Sequence, residues 1–183
     1  MQIKIHSTGK HPSEKGLRYK IASVTILFFS MVWCGLFLSV PFLLKGNLTL
    51  QKIAALIRFF FTPICHQMES RSFHLAGHAL PVCARCTGIY SGFMIGILTI
   101  ILAGRFWKVR HPTRSFLFFG LAISGLEAIL SFLNVFSSTL LTRSITGAVL
   151  GIIIAFFVMA ALNQIVDRPI NHEVKVWKEL PVN

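Results

Sequence analysis

The feature that most restricts what this chain can fold into is Ile21–Leu44, 24 residues without a single charge. As a helix the run is about 36 Å long, enough to cross the ~30 Å hydrocarbon layer of a bilayer with some tilt. A secretory signal peptide would have a shorter apolar core and a small-residue cleavage site, and neither is evident, so the run reads as an uncleaved first span. Pro41, near its end, is expected to bend or terminate the helix. Composition points the same way. Only 13% of residues are charged, against roughly 25% in typical soluble domains, and the mean hydropathy is +0.70. The 18 basic residues outnumber the 6 acidic ones, but they flank apolar runs and are not gathered on a soluble domain. They read as topological signals and as contacts for anionic lipid head groups, not as a nucleic-acid surface.

The rest of the chain alternates between spans and short polar joints. Residues 1–20 form a basic arm. Leu48–Phe61 has helical amphipathic spacing but carries Lys52 and Arg58 and is too short to span, so it is expected to lie along the interface. Pro81 suits the first turn of a second span, over about 83–103, in which Gly88, Gly92 and Gly96 fall four apart. Such a ridge lets another helix backbone approach closely, so these glycines are candidates for a helix–helix partner or a homo-oligomer contact. Further spans are expected over about 115–136 and 143–166. Between them come a basic loop (Arg105, Lys108, Arg110, Arg114, with His111-Pro112 at its turn) and a small polar turn at Ser137–Thr142. A tail follows from 167 to 183.

The expected fold is therefore all-α. A four-span membrane domain occupies 21–166, with an outer loop at 45–82. Placing the N-terminus inside puts 12 of the 18 Lys and Arg on that side, and the positive-inside rule then gives a multi-pass protein of the cell membrane with both termini cytoplasmic.

Chemistry is concentrated in Thr62–Tyr90, which holds Cys65, Cys83 and Cys86 together with His66, His74 and His78. Cys83-Ala84-Arg85-Cys86 at a helix start sets two sulfurs about one turn apart. There the helix dipole and Arg85 favour thiolates. One reading is a metal site on Cys65, His66, Cys83 and Cys86, with His74 or His78 as the alternative fourth ligand and zinc as the ion. A second is redox. A C-x-x-C at the outer mouth of a four-span bundle is similar to the quinone-linked thiol oxidases of the bacterial disulfide pathway, although only Cys65 stands where those enzymes have a second pair. A third is a membrane assembly or accessory protein with a structural disulfide from Cys65. Cys34, between Trp33 and Gly35, reads as a small apolar packing residue.

A second constellation lies in the later spans. Glu127 sits where an unpaired carboxylate is costly, and Asn134 lies two helical turns on. Arg143 and Thr146 open the fourth span at the same level. Glu127 is expected to pair with Arg143 or Arg85, either as a structural ion pair or, together with Arg71, as a pocket for a lipid-like or small anionic substrate. Glu127, Arg143 and Arg85 are the candidates for any catalysis.

The residues Cys65-His66-Gln67, Arg71-Ser72-Phe73, Gly77 and Pro81-Val82-Cys83-Ala84-Arg85-Cys86-Thr87-Gly88 resemble a family of small prokaryotic membrane proteins catalogued as domain of unknown function 2085. The resemblance extends to Asn134, Arg143, Thr146 and Gly147. Where the family pattern has Asp-Gly, this chain has Glu127-Ala128. The resemblance implies a multi-span fold and no established activity, and it singles out Cys65, His66, Cys83, Arg85, Cys86, Glu127 and Arg143 together.

Overall fold

Apolar runs that must satisfy their own backbone groups in hydrocarbon become helices. The computed structural model describes residues 12–103, 114–133 and 138–167. It consists of α1 (Pro12–Leu43), α2 (Leu48–Phe61), α3 (Ala84–Ala103), α4 (Arg114–Phe132) and α5 (Leu140–Asp167). Between α2 and α3 lie a 3-10 turn at Glu69–Arg71 and two short antiparallel strands, β1 (His74–Leu75) and β2 (His78–Ala79). Among the described residues, three helices are long and apolar enough to cross a membrane: Gly16–Leu43, Ala84–Ala103 and Leu140–Val166. The apolar stretch of α4, Ser115–Ser131, is shorter. Residues 1–11, the loop residues Arg105 to Pro112, Asn134 to Ser137 and the tail beyond Asp167 lie outside the described residues.

Local chemistry explains the element ends. The Asn47 side chain accepts from the Leu50 amide and starts α2 at Leu48. Thr139 does the same for α5, accepting from the Thr142 amide, so Leu140–Thr142 are helical and not part of a turn. Pro41 sits in the last turn of α1, where two further residues complete the helix. Pro81 is not in the first turn of α3. The helix begins at Ala84, and its first bond runs from the Thr87 amide to the Cys83 carbonyl, 2.9 Å, which makes Cys83 the residue flanking the helix.

The tightest packing joins α3 to α5. A Cβ added at Gly88 would stand 2.1 Å from the Ser144 carbonyl oxygen, and one at Gly92 would stand 2.3 Å from that of Ala148. The relation is reciprocal. At Gly147 the Cβ would meet the Arg85 oxygen at 2.3 Å, and at Gly151 the Ile89 oxygen at 2.1 Å. Two small-residue ridges thus interlock backbone to backbone, and α5 of the same chain fills the Gly88–Gly92–Gly96 face. Below this seam Ile97, Ile100, Ala155 and Met159 form one buried cluster. Above it, Phe37, Phe61, Leu80 and Val82 form another around Cys34 and Cys65. Phe28, Phe29, Phe118 and Phe119 face outward, as they would toward lipid tails.

Candidate metal centre and a buried arginine–glutamate pair

Three separate devices bring the cysteines together. The Cys65 amide bonds back to the Phe61 carbonyl at 3.0 Å, which turns the chain directly off the end of α2. Gln67, at φ 51°, donates its side-chain amide to the Arg58 carbonyl at 2.6 Å, satisfying one of the orphan acceptors of α2. A hairpin then returns the chain. Leu75 pairs with His78 across the two-residue turn Ala76-Gly77, both at positive φ, the backbone that matches strand twist in a tight hairpin. Ser72 is buried and donates to the Met68 carbonyl at 2.9 Å, closing the 3-10 turn, while Phe73 packs on the upper cluster. These residues build the loop that delivers Val82 and Cys83 to Cys65.

As a result the sulfurs of Cys65, Cys83 and Cys86 all lie within 4.8 Å of one another, and all four cysteines are free thiols. Zinc–sulfur bonds of about 2.3 Å place tetrahedral sulfurs about 3.8 Å apart, so three thiols this close together could hold a metal ion. Its surroundings are apolar. Cys65 is buried among Phe37, Phe61, Leu80 and Val82, with Trp33 and Tyr90 packed alongside. The Cys83 amide donates to the Cys65 sulfur at 3.2 Å, which orients it. Side-chain hydrogen bonds from Cys65 and then Cys86 pull the Cys83 thiol well below its ordinary value. The backbone amides of Cys86 and Arg85 assist, and burial opposes them. Cys83 is therefore the member of the trio that favours a thiolate, the form that ligates metals.

The histidines are placed differently. His66, His74 and His78 are exposed, and among the described residues the only group with metal-ligand spacing is the three cysteines. His74 Nε2 lies 3.7 Å from Glu69 Oε1, with both side chains largely in solvent. Cys34 belongs to the same buried cluster as Cys65 but not to the trio.

On the other side of α3 lies the charged constellation. Arg85 is about 100° round the helix from Cys86, so it leaves the thiol face and turns toward α4 and α5. Its guanidinium pairs with Glu127 on α4. Arg143 does not take Glu127. It donates from Nη2 to Ser131 Oγ at 2.8 Å, one helical turn along α4 from Glu127. Thr146 bonds back to the carbonyls of Thr142 and Arg143, each at 3.1 Å, within its own helix. Two polar atoms of this group, Arg85 Nε and Glu127 Oε1, are buried without a hydrogen-bond partner among the described residues. Ser131 escaped the reading of the sequence. The signal was available, since it lies four residues after Glu127 and so shares its face.

Comparison with known proteins agrees with a membrane protein. The family model described as "Predicted membrane protein (DUF2085)" matches residues 65–157, from the first cysteine of the trio into α5. An uncharacterised protein of Methanocaldococcus jannaschii is 26% identical over 138 residues, covering 74% of this chain and 88% of its own. An uncharacterised protein of Methanothermobacter thermautotrophicus is 56% identical over a local stretch of 32 residues, 18% of this chain and 29% of its own. No solved structure matches the chain.

Proposed function

Since the chain belongs to the DUF2085 family of predicted membrane proteins, a description that names no chemistry, we propose a function from the site itself: a multi-pass membrane protein that holds a metal ion on Cys65, Cys83 and Cys86. One observation carries this reading, the three unpaired thiols within 4.8 Å of one another in an apolar setting. Two of the three come from the start of α3 and the third from the end of α2, so an ion bound to them would tie the intervening loop to the bundle. Zinc suits the set, being content with three or four sulfur and nitrogen ligands. Bound there, it would supply structural closure or, with a position left open, Lewis acidity. His66, or His74 or His78, is this chain's own choice for a fourth ligand, because each lies on the loop that the ion would close. In this reading α4 is the third of four spans, both termini are cytoplasmic and the trio faces outward at the cell membrane. The Arg85, Glu127 and Arg143 pocket takes a lipid-like or small anionic ligand.

The test is metal analysis of protein purified from membranes, combined with thiol titration before and after chelation. About one zinc per chain, with thiols masked until it is removed, supports the proposal; a metal-free preparation with three reactive thiols sinks it. A second reading has one observation in its favour. An apolar cavity of about 400 Å³ lies between α1, α3 and α5, lined by Phe29, Ser30, Trp33, Cys34, Tyr90 and Phe93. Trp33, Cys34 and Tyr90 also belong to the cluster around the trio. A quinone ring would fit such a space, and Cys83 and Cys86 would then form the redox pair of a thiol–disulfide oxidoreductase. A metal-free protein with a reducible Cys83–Cys86 bond would favour that reading. A stable Cys65 bridge would instead favour an assembly or accessory protein.

A further inference from the structure

The Arg85–Glu127 pair is incompletely satisfied in a specific way. Glu127 is nine-tenths buried, with its side chain 10% exposed, and among the described residues its Oε1 has no donor although Oε2 is taken by Arg85. Arg85 Nε, likewise buried, has no acceptor among the described residues. One orphan acceptor and one orphan donor thus stand on two side chains that already touch. Leaving either unmatched in a low-dielectric setting carries the desolvation penalty of that group without a compensating bond.

The charge is also unbalanced. Gly147 on α5 abuts the Arg85 carbonyl, and Arg143 is one turn before it on the same face, which sets Arg143 beside the pair. Among the described residues its guanidinium meets neutral oxygens, Ser131 Oγ at 2.8 Å and the Ser138 carbonyl at 3.4 Å. Arg71, exposed on the 3-10 turn, lies within electrostatic reach of Arg143, as do Glu127 and Arg85. One carboxylate faces two guanidiniums in the pocket and a third at its edge.

A complementary ligand has to be anionic, has to accept from Arg85 Nε and has to donate a hydrogen bond to Glu127 Oε1. A carboxylate, a sulfate dianion or a sulfate ester meets the first two conditions and fails the third. A phosphodiester has no proton of its own to donate. A singly protonated phosphate or phosphomonoester meets all three, with its ionised oxygens toward Arg85 and Arg143 and its P–OH toward Glu127.

We propose that the junction of α3, α4 and α5 is a binding site for a protonated phosphate monoester, held by Arg85 and Arg143 and selected by Glu127 Oε1. The proposal rests on the reading of this pocket as ligand-bearing and is independent of the metal. The shared chemistry is the P–OH group, whether carried by free phosphate or by a lipid head group.

The test uses the full-length protein in detergent at about pH 6, near the second phosphate pKa, so that the P–OH is well populated. Calorimetric titration compares inorganic phosphate with dimethyl phosphate, which has the anionic oxygens but no proton. A parallel arm uses mixed micelles containing phosphatidic acid. Preference for the protonated form by about tenfold is expected, in free phosphate, in phosphatidic acid or in both. Saturation by inorganic phosphate identifies a soluble source, and binding confined to phosphatidic acid identifies a lipid. Glu127→Gln should erase the preference for the protonated form without abolishing anion binding, whereas Arg143→Gln should weaken both forms about tenfold. Helix content by circular dichroism shows that each variant is folded, and Ser131→Ala serves as a milder second variant that loosens Arg143 without removing a charge. The proposal is overturned if neither phosphate nor phosphatidic acid binds, or if folded Glu127→Gln keeps the preference. Metal content measured on the same samples separates the two ideas. A metal-free protein that shows the preference removes the metal site and leaves this one standing.

Discussion

The two sides of the first turns of α3 are built on different principles. Toward α1 and α2, Cys83 and Cys86 meet Cys65 inside an aromatic enclosure in which Trp33 lies 5.2 Å from Phe61 and 5.8 Å from Tyr90, ring centre to ring centre. Toward α4, Arg85 meets Glu127 across a largely apolar helix, and two polar atoms are left over. The first side is closed by packing around three thiols that could hold a metal ion. The second is held by charge and lacks a partner for its spare donor and acceptor. A helix start supports both because its successive residues point about 100° apart, so Arg85 is directed away from the cysteines that flank it. Between them runs the glycine seam with α5, which fixes the rotation of α3 and so decides which residue faces which side.

If that division is right, each side can be damaged without the other. Cys86→Ser should produce the largest effect, complete loss of bound metal by mass spectrometry, while α4 stays attached and helix content is unchanged; Cys34→Ser should leave the metal in place. Gly151→Val attacks the seam that both sides share. Its side chain would have to displace the Ile89 carbonyl, so a loss of about 3 kcal/mol or more is expected, read as failure to accumulate or as a large drop in thermal stability in detergent. Loss of metal and loss of phosphate preference together in this variant would show that α3 rotation governs both. Glu127→Ala strands a buried guanidinium and should cost about 2 kcal/mol, less than for a wholly enclosed pair because Arg85 is 26% exposed. Bound metal should stay at the wild-type level, and a parallel loss of it would break the comparison. Gln67→Ala removes one cap from α2 and should cost about 1 kcal/mol. That change should loosen only the thiol side, seen as faster reaction of Cys65 with an alkylating reagent.

Some of this could be read from residue order alone. Leu48–Phe61 is the helix that its amphipathic spacing predicts, residue for residue, because Asn47 supplies a local cap and the pattern is uninterrupted. The glycine spacing announced a close helix contact but not its partner. Spacing describes one face of one helix, and the identity of α5 depends on the reciprocal ridge at Gly147 and Gly151. The hairpin at His74–Ala79 went unseen, since Ala76-Gly77 lacks the Asn-Gly or Asp-Gly signature and Ala76 is held at φ 53° by its surroundings. The start of α3 was placed at Pro81 on the strength of proline's preference for a first turn, yet the chain uses Pro81 and Val82 as buried packing before the helix begins.

Residue order alone determined that this chain is helical and membrane-embedded, since uncharged runs of this length have no other economical environment, and that sulfur is concentrated next to one helix start. Which donors converge was decided only in three dimensions. The histidines are as near in sequence to Cys65 and Cys83 as the cysteines are to each other. Yet all three stay exposed, His66 beside Cys65 and His74 and His78 on the hairpin, while packing against Phe37, Phe61 and Val82 gathers the three thiols. Likewise Glu127 had two arginines within plausible reach, and the backbone contact at Gly147 brought it Arg85 while leaving Arg143 to Ser131. Hydrophobic pattern is a property of segments and survives in the linear chain; convergence of polar atoms is a property of how segments pack, and only the packed molecule holds it.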